Sequence, residues 1–209
     1  MPEVGERLEV SSVSCVRGDA TLFEDVSLTL GAGQGLQITG RNGCGKTSLL
    51  RLLCGLSVPE SGRISWKGRD IAEHRIDYLR EMAFVGHAHG VKDDLTVSEN
   101  LTVAVGLAGG GGLSSEAALA RLGLLAYAEE PARILSAGQH RRLALARLLV
   151  GSATLWILDE PFNALDRVGV VDVEGLIDEH LAAGGMVLFT SHQPLLTLQD
   201  RVDALELGA

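Results

Sequence analysis

The chain has 209 residues, 46% of them hydrophobic and 22% charged, with a formal net charge of −9. That length suits one good core or one domain with a small appendage, and the composition is that of an ordinary globular protein. The acidic balance argues against a nucleic-acid binder, which carries a basic excess, while leaving contact with a membrane protein through a local patch open.

In chain order, "MPEVGERLEV" (1–10) has no apolar core of the signal-peptide type. Apolar patterning predicts strands at roughly 7–14 and 26–30, then a short buried strand, "GLQIT" (35–39), running into a glycine-rich turn. From Gly45, "GKTSLLRLLCGL" reads as a helix with Leu at 49, 50, 52, 53 and 56. Further strands are expected at 62–68, 82–86, 153–158 and 185–190, and "VDALEL" (202–207) as a strand closing the sheet. Between 97 and 150 the pattern turns helical: "VSENLTVAVGL", "SSEAALARLGLL" and a helix after Ser136, with "AGGGG" (108–112) as a flexible link between the first two. Strand-helix alternation with a helical insertion predicts a mainly parallel α/β sheet carrying a helical subdomain over about 88–150, within a single domain spanning 1–209. The longest clearly apolar run, "LLVGSATLWIL" (148–158), is too short to span a bilayer. Cys15, Cys44 and Cys54 form no C-x-x-C pair, which points to reduced thiols.

"GRNGCGKT" (40–47) fits G-x-x-x-x-G-K-[ST] in full, with a strand before it and a helix after it. Backbone N–H groups of Gly40, Arg41, Asn42, Gly43, Cys44, Gly45 and the helix start at Ser48 can surround phosphates, helped by the helix-end potential. Lys46 would reach the β- and γ-phosphates, and Thr47 would place its hydroxyl on Mg²⁺. "LWILDEP" (155–161) puts two carboxylates at the carboxyl end of a buried strand, where ligands of open α/β sheets bind. Asp159 is placed to hold Mg²⁺ through water, and Glu160 to polarise an attacking water. "TSHQP" (190–194) repeats the pattern and brings His192 to the same edge, for contact with the γ-phosphate or that water.

"LSAGQHRRLALARLL" (135–149) raises a different question. Ser136, Gly138 and Gln139 stand at a helix start, and Arg141 and Arg142 follow where positive charge opposes the helix dipole, at about 0.3–1 kcal/mol per exposed charge. A Ser N-cap with two solvated arginines is one reading. A helix end prepared for an anion is the other. With one nucleotide site already assigned, a two-fold dimer in which each LSAGQ faces the other chain's nucleotide satisfies the second reading.

The phosphate loop, LSAGQ, "LDEP", "NALD" (163–166) and "SH", in this order and over nearly the whole chain, resemble the ATP-binding subunits of ABC transporters. The resemblance implies an ATPase using ATP and Mg²⁺, an ATP-dependent dimer, contact of Ser136 and Gly138 with the opposite γ-phosphate, and coupling across the dimer through Asp166. Arg17 stands where the family usually carries an aromatic over the adenine, and its guanidinium plane can also stack on a base. Within the family, "GHAHGVKDDLTVSENL" and "TLWILDEPFNALD" are similar to the cytochrome c maturation (haem exporter) ATP-binding subunits. That likeness implies a peripheral subunit at the cytoplasmic face of the inner membrane, bound to integral membrane subunits and driving haem transfer or release on a periplasmic chaperone. No direct haem site is legible, and His87, His89 and His140 read as surface or loop histidines. One departure stands out: Ala88 occupies the place of a glutamine that touches Mg²⁺ and links to the membrane subunits.

Three other functions are weighed against these residues. A soluble ABC ATPase acting on nucleic acid or ribosomes generally has twin cassettes or coiled-coil insertions, and this chain has neither. A degenerate binding module is opposed by the intact Lys46, Asp159, Glu160 and His192. An exporter subunit for another substrate stays open, because the cassette does not name its cargo. Cys44, inside the phosphate loop, also has two readings: a thiol activated by loop N–H groups and Lys46, or a space-filling one.

Overall fold

The computed structural model describes residues 6–87 and 90–208. A long hairpin opens the chain, β1 (Arg7–Arg17) with β2 (Ala20–Gly31), and β4 (Ser61–Trp66) and β5 (Arg69–Asp70) extend it into an antiparallel sheet of order β2-β1-β4-β5. The second sheet is parallel throughout, in the order β6 (Met82–Val85), β7 (Leu155–Asp159), β8 (Met186–Thr190), β3 (Gly35–Thr39), β9 (Val202–Glu206). The predicted strands all appear, and the 202–207 segment lies on the sheet's edge beside β3. Parallel strands are covered on both faces, which is why every residue of β7 and β8 is buried.

Two apolar clusters cover those faces. Leu155, Ile157, Met186 and Leu188 join α1 (Lys46–Leu53) and the antiparallel sheet, with Leu49, Leu50, Leu52 and Leu53 of α1 almost fully buried between them. Trp156, Leu158, Val187 and Phe189, one step along the same strands, join the helices α3 (Val97–Ala108), α4 (Ser115–Arg121), α5 (Ala137–Leu149) and α6 (Arg167–Ala182). The period-two alternation of a strand thus divides the molecule into two cores. The start of α3 is fixed by a capping box, Thr96 with Glu99, a device whose N-cap residue alone contributes about 1 kcal/mol.

Among the described residues, two α-helices go beyond the elements expected from the sequence: α2 (Arg75–Glu81) and α6. Valine and glycine, weak helix formers, recur through α6, and its helicity comes from burying Val170, Val173, Leu176, Ile177 and Leu181. The glycine run at 108–112 is a built corner rather than a flexible link. Gly109 caps α3 at φ 77°, Gly111 pairs with Gly151, and a Cβ on Gly112 would meet the Leu149 carbonyl oxygen at 2.2 Å.

Near the C-terminal end of α6, His180 stacks flat on Trp156, with centroids 3.8 Å apart and planes 10° from parallel. Its Nε2 lies 3.0 Å from the Thr154 carbonyl oxygen. Burial pushes its pKa below 6.5, against the pull of the backbone hydrogen bonds. The folded chain therefore holds His180 neutral where the unfolded chain binds a proton. This contribution is intact above pH 6.5 and is lost as pH falls below it toward the folded value. Denaturant midpoints measured at about pH 8 and about pH 5 should fall less in His180→Gln, which cannot take up the proton, than in the wild type. Equal falls would place the titrating group elsewhere.

Candidate active site

The strand order β7-β8-β3 sets three carboxyl ends side by side, and each delivers one part of the site. β3 runs into the phosphate loop and α1, β7 ends at Asp159, and β8 ends at Thr190, which is in register with Asp159. Here they form one cleft of about 610 Å³, within the usual range for a small-molecule site. Of the residues expected to serve the nucleotide, Arg17, Asn42, Gly43, Gly45, Lys46, Thr47, Ser48, Asp159, Glu160 and His192 line this cleft.

Lys46 is 8% exposed, and its Nζ donates to the carbonyl oxygens of Gly40 (2.8 Å) and Arg41 (3.1 Å). The ammonium is thus held by two carbonyls of its own loop. The Thr47 hydroxyl lies 3.2 Å from Asp159 Oδ2. A carboxylate and a hydroxyl this close make a hard-oxygen pair of the kind Mg²⁺ takes, with phosphates and water completing the set. Asp159 is buried, and the Thr190 hydroxyl donates to its Oδ1 at 2.8 Å. Glu160 has φ 53°, and its Oε1 lies 3.3 Å from Nε2 of the half-exposed His192. The strand end, the turn and His192 therefore converge on one carboxylate at the cleft.

Sequence reasoning misassigned the arginines after LSAGQ. The helix begins at Ala137, so Arg141 lies beyond its first turn and is 1% exposed. Its guanidinium donates to the carbonyl oxygens of Pro161 (3.1 Å), Gly86 (3.0 Å), Asp159 (2.6 Å) and Glu160 (2.5 Å). Burial draws its pKa below the ordinary value, while Asp159 and Glu160 pull the other way. Arg141 thus ties α5 to the turn that carries the two carboxylates, instead of awaiting an anion. Arg142 sits 3.8 Å from Asp166 and 4.0 Å from Asp172 and donates to the Leu122 carbonyl oxygen. The signal for Arg141 was in the sequence: it shares a helix face with Ala144, Leu145 and Leu148, all buried.

Ser136 and Gln139 form a capping box, with Gln139 N–H donating to Ser136 Oγ and Ser136 N–H to Gln139 Oε1. Neither they nor Gly138 line the cleft. Gly138 packs against the 163–166 turn so closely that a Cβ would meet the Ala164 carbonyl oxygen at 2.7 Å. Asp166 caps α6 by accepting from Gly169 N–H. The LSAGQ and NALD segments are therefore neighbours, and of the two only Asn163 of NALD reaches the phosphate loop's cleft. Arg41 is exposed, and the side of Cys44 faces Gly40, Gly208 and the core that α1 helps build. All three cysteines are unpaired, and burial, reinforced by Asp159, pushes the Cys54 thiol up to about 12. His140 is a loop anchor, with Nδ1 near the Leu135 carbonyl oxygen and Nε2 3.1 Å from Asp93. His87 is exposed and also lines the cleft. Ala88 and His89 lie outside the described residues.

The ABC transporter family model matches residues 23–163, from the hairpin through the turn after β7. The fold is that of two solved ATP-binding subunits. One, described as the ATP-binding subunit of an ABC transporter, has a TM-score of 0.82 at 26% identity over 96% of this chain and 85% of that one. The other, an ABC transporter ATP-binding protein from Pyrococcus furiosus, has a TM-score of 0.82 at 27% identity over 96% and 97%. The chain belongs to the ABC transporter family, as an ATP-binding cassette. Within it, the chain is 50% identical over 203 residues to the cytochrome c biogenesis ATP-binding export protein CcmA of Nitrosococcus oceani, covering 97% of this chain and 93% of that one. The proteins of the same name are 52% identical in Methylococcus capsulatus (88% and 89% covered) and 44% identical in Escherichia coli O157:H7 (96% and 96% covered).

Proposed function

We propose that this chain is the ATP-hydrolysing subunit of a membrane export complex in cytochrome c biogenesis, working as an ATP-closed dimer. The observation that carries this reading is the meeting of Lys46, Thr47, Asp159, Glu160 and His192 in one cleft, in a chain so similar to the export proteins of that process. Lys46 leaves its loop carbonyls for the β- and γ-phosphates, and the N–H groups of 40–48 surround them. Arg17 lies over the base. Thr47 and Asp159 hold Mg²⁺, which when bound neutralises charge on the phosphate oxygens. Glu160 accepts the proton of the attacking water, and His192 steadies that carboxylate and the γ-phosphate.

In the dimer, Ser136, Gly138 and Gln139 of each subunit meet the γ-phosphate bound by the other, and Asp166 lies near the seam. Ser136→Arg should therefore leave ATP binding to the monomer unchanged and lower dimerisation and turnover together. A large loss of monomer affinity would put LSAGQ in the same chain's pocket and overturn the dimer.

The partners are integral membrane subunits at the cytoplasmic face of the inner membrane, and the cargo step is haem transfer or release of its chaperone. Among the described residues no helix is long and apolar enough to cross a membrane. A groove between α2, β6, α3 and α5, edged by the exposed Ile76 and Leu107, suits contact with such subunits. Purification from detergent-solubilised membranes should bring those subunits down with the chain. A strain lacking the chain should lose covalently bound haem c, with restoration by the wild type and not by Glu160→Gln. Normal cytochrome c in that strain would overturn the assignment and leave an exporter of another substrate.

A further inference from the structure

We propose that Thr190 is a positioning residue for hydrolysis, its one hydroxyl locking the Asp159 carboxylate and the Glu160 backbone to each other. Thr190 is fully buried at the end of β8, between β7 and β3, and in register with both Asp159 and Ile38. Its Oγ1 donates to Asp159 Oδ1 at 2.8 Å and accepts from the Glu160 N–H at 2.9 Å. A hydroxyl is the smallest side-chain group that donates and accepts at once, and here both capacities are used on consecutive residues.

Each bond has a consequence at the cleft. With Oδ1 tied to Thr190, the plane of the Asp159 carboxylate is set and Oδ2 is the oxygen nearer Thr47, at 3.2 Å against 3.5 Å for Oδ1. With its N–H tied to the same oxygen, Glu160 is held at φ 53°, a left-handed conformation uncommon for residues other than glycine. Arg141 grips the carbonyl on the other side of Glu160. Backbone strain of this kind persists only where the surroundings over-determine it. The result is a Glu160 side chain aimed at His192. Threonine's branched Cβ adds to the effect, because its χ1 has few alternatives in a strand.

Serine would keep both bonds. Valine would keep the shape, lose both bonds, and leave the buried Asp159 Oδ1 and the part-buried Glu160 N–H without this partner. Hydrogen-bond partners of metal-ligating side chains typically change metal affinity or activity by about 10–100-fold.

This inference rests on the assignment of Asp159 to the metal and Glu160 to the water, so the test carries Asp159→Asn and Glu160→Gln beside Thr190→Val and Thr190→Ser. Two quantities are read on the full chain: kcat and KM for ATP at saturating Mg²⁺, and the Mg²⁺ concentration that half-maximally tightens binding of a fluorescent ATP analogue, measured without turnover. Thr190→Val should lose about 10–100-fold in kcat, need more Mg²⁺ for the binding transition, and keep KM within a few-fold. Thr190→Ser should retain most of the turnover. If Thr190→Val does not accumulate as folded protein, Thr190→Ala is read in its place against the same serine variant. Wild-type kcat and an unmoved Mg²⁺ midpoint in the hydroxyl-free variant, or a serine variant as impaired as valine, would overturn the role of Thr190 while the two carboxylate variants stay inactive. Full turnover in Asp159→Asn or Glu160→Gln would overturn the site assignment and this inference with it.

Discussion

Glu160→Gln should bind ATP as the wild type does, lose about 10²–10⁴-fold in hydrolysis, and accumulate as an ATP-bound dimer. The amide has nearly the shape of the carboxylate and can still accept a hydrogen bond from His192, which lies 3.3 Å from Oε1. It cannot accept the proton of the attacking water. The groups proposed to bind ATP, the loop N–H groups and Lys46, lie at a different strand's end, so the substitution separates binding from chemistry. If hydrolysis reopens the proposed ATP-closed dimer, blocking it should trap that state. Phosphate release and sedimentation with ATP measure the two halves independently. Unchanged turnover together with monomers only would sink both the base assignment and the dimer.

Motifs set by local spacing were legible from the residues alone. The phosphate loop, the Asp159-Glu160 pair and His192 each follow a short apolar strand, and the parallel sheet aligns such strand ends by construction, so reading the motifs also read the cleft. What the sequence concealed depends on tertiary contacts. Thr190 looks like the last polar step of a strand until the register with β7 places its hydroxyl between Asp159 and Glu160. The α6 segment hid because its residues favour helix only when one face is buried. The glycine run at 108–112 suggested flexibility, since composition cannot distinguish a free linker from a corner whose Gly112 admits no Cβ. Arg141 and Arg142 show the same limit more sharply: adjacent identical residues have opposite roles because 100° of helix rotation turns one into the core.

That difference gives a second large expected effect. Arg141→Met should destabilise the fold by about 3–5 kcal/mol, the usual scale for removing one partner from a buried charged arrangement, against a total of about 5–15 kcal/mol for a typical domain. Methionine fills much of the space but donates nothing, and the carbonyl oxygens of Gly86, Asp159, Glu160 and Pro161 lose the donors that now serve them. Two of those carbonyls belong to the carboxylate pair itself, so turnover per folded molecule should fall as well. Arg142→Ala is the matched control. Its ion pairs, at 3.8 and 4.0 Å to Asp166 and Asp172, are long and reach into solvent, and pairs of that kind contribute about 0–1 kcal/mol. Guanidinium denaturation of the two variants, without nucleotide, reads the contrast directly. If Arg141 were instead a receptor for an anion at the start of α5, its loss would leave the nucleotide-free protein as stable as Arg142→Ala, and the defect would emerge only when ATP is added.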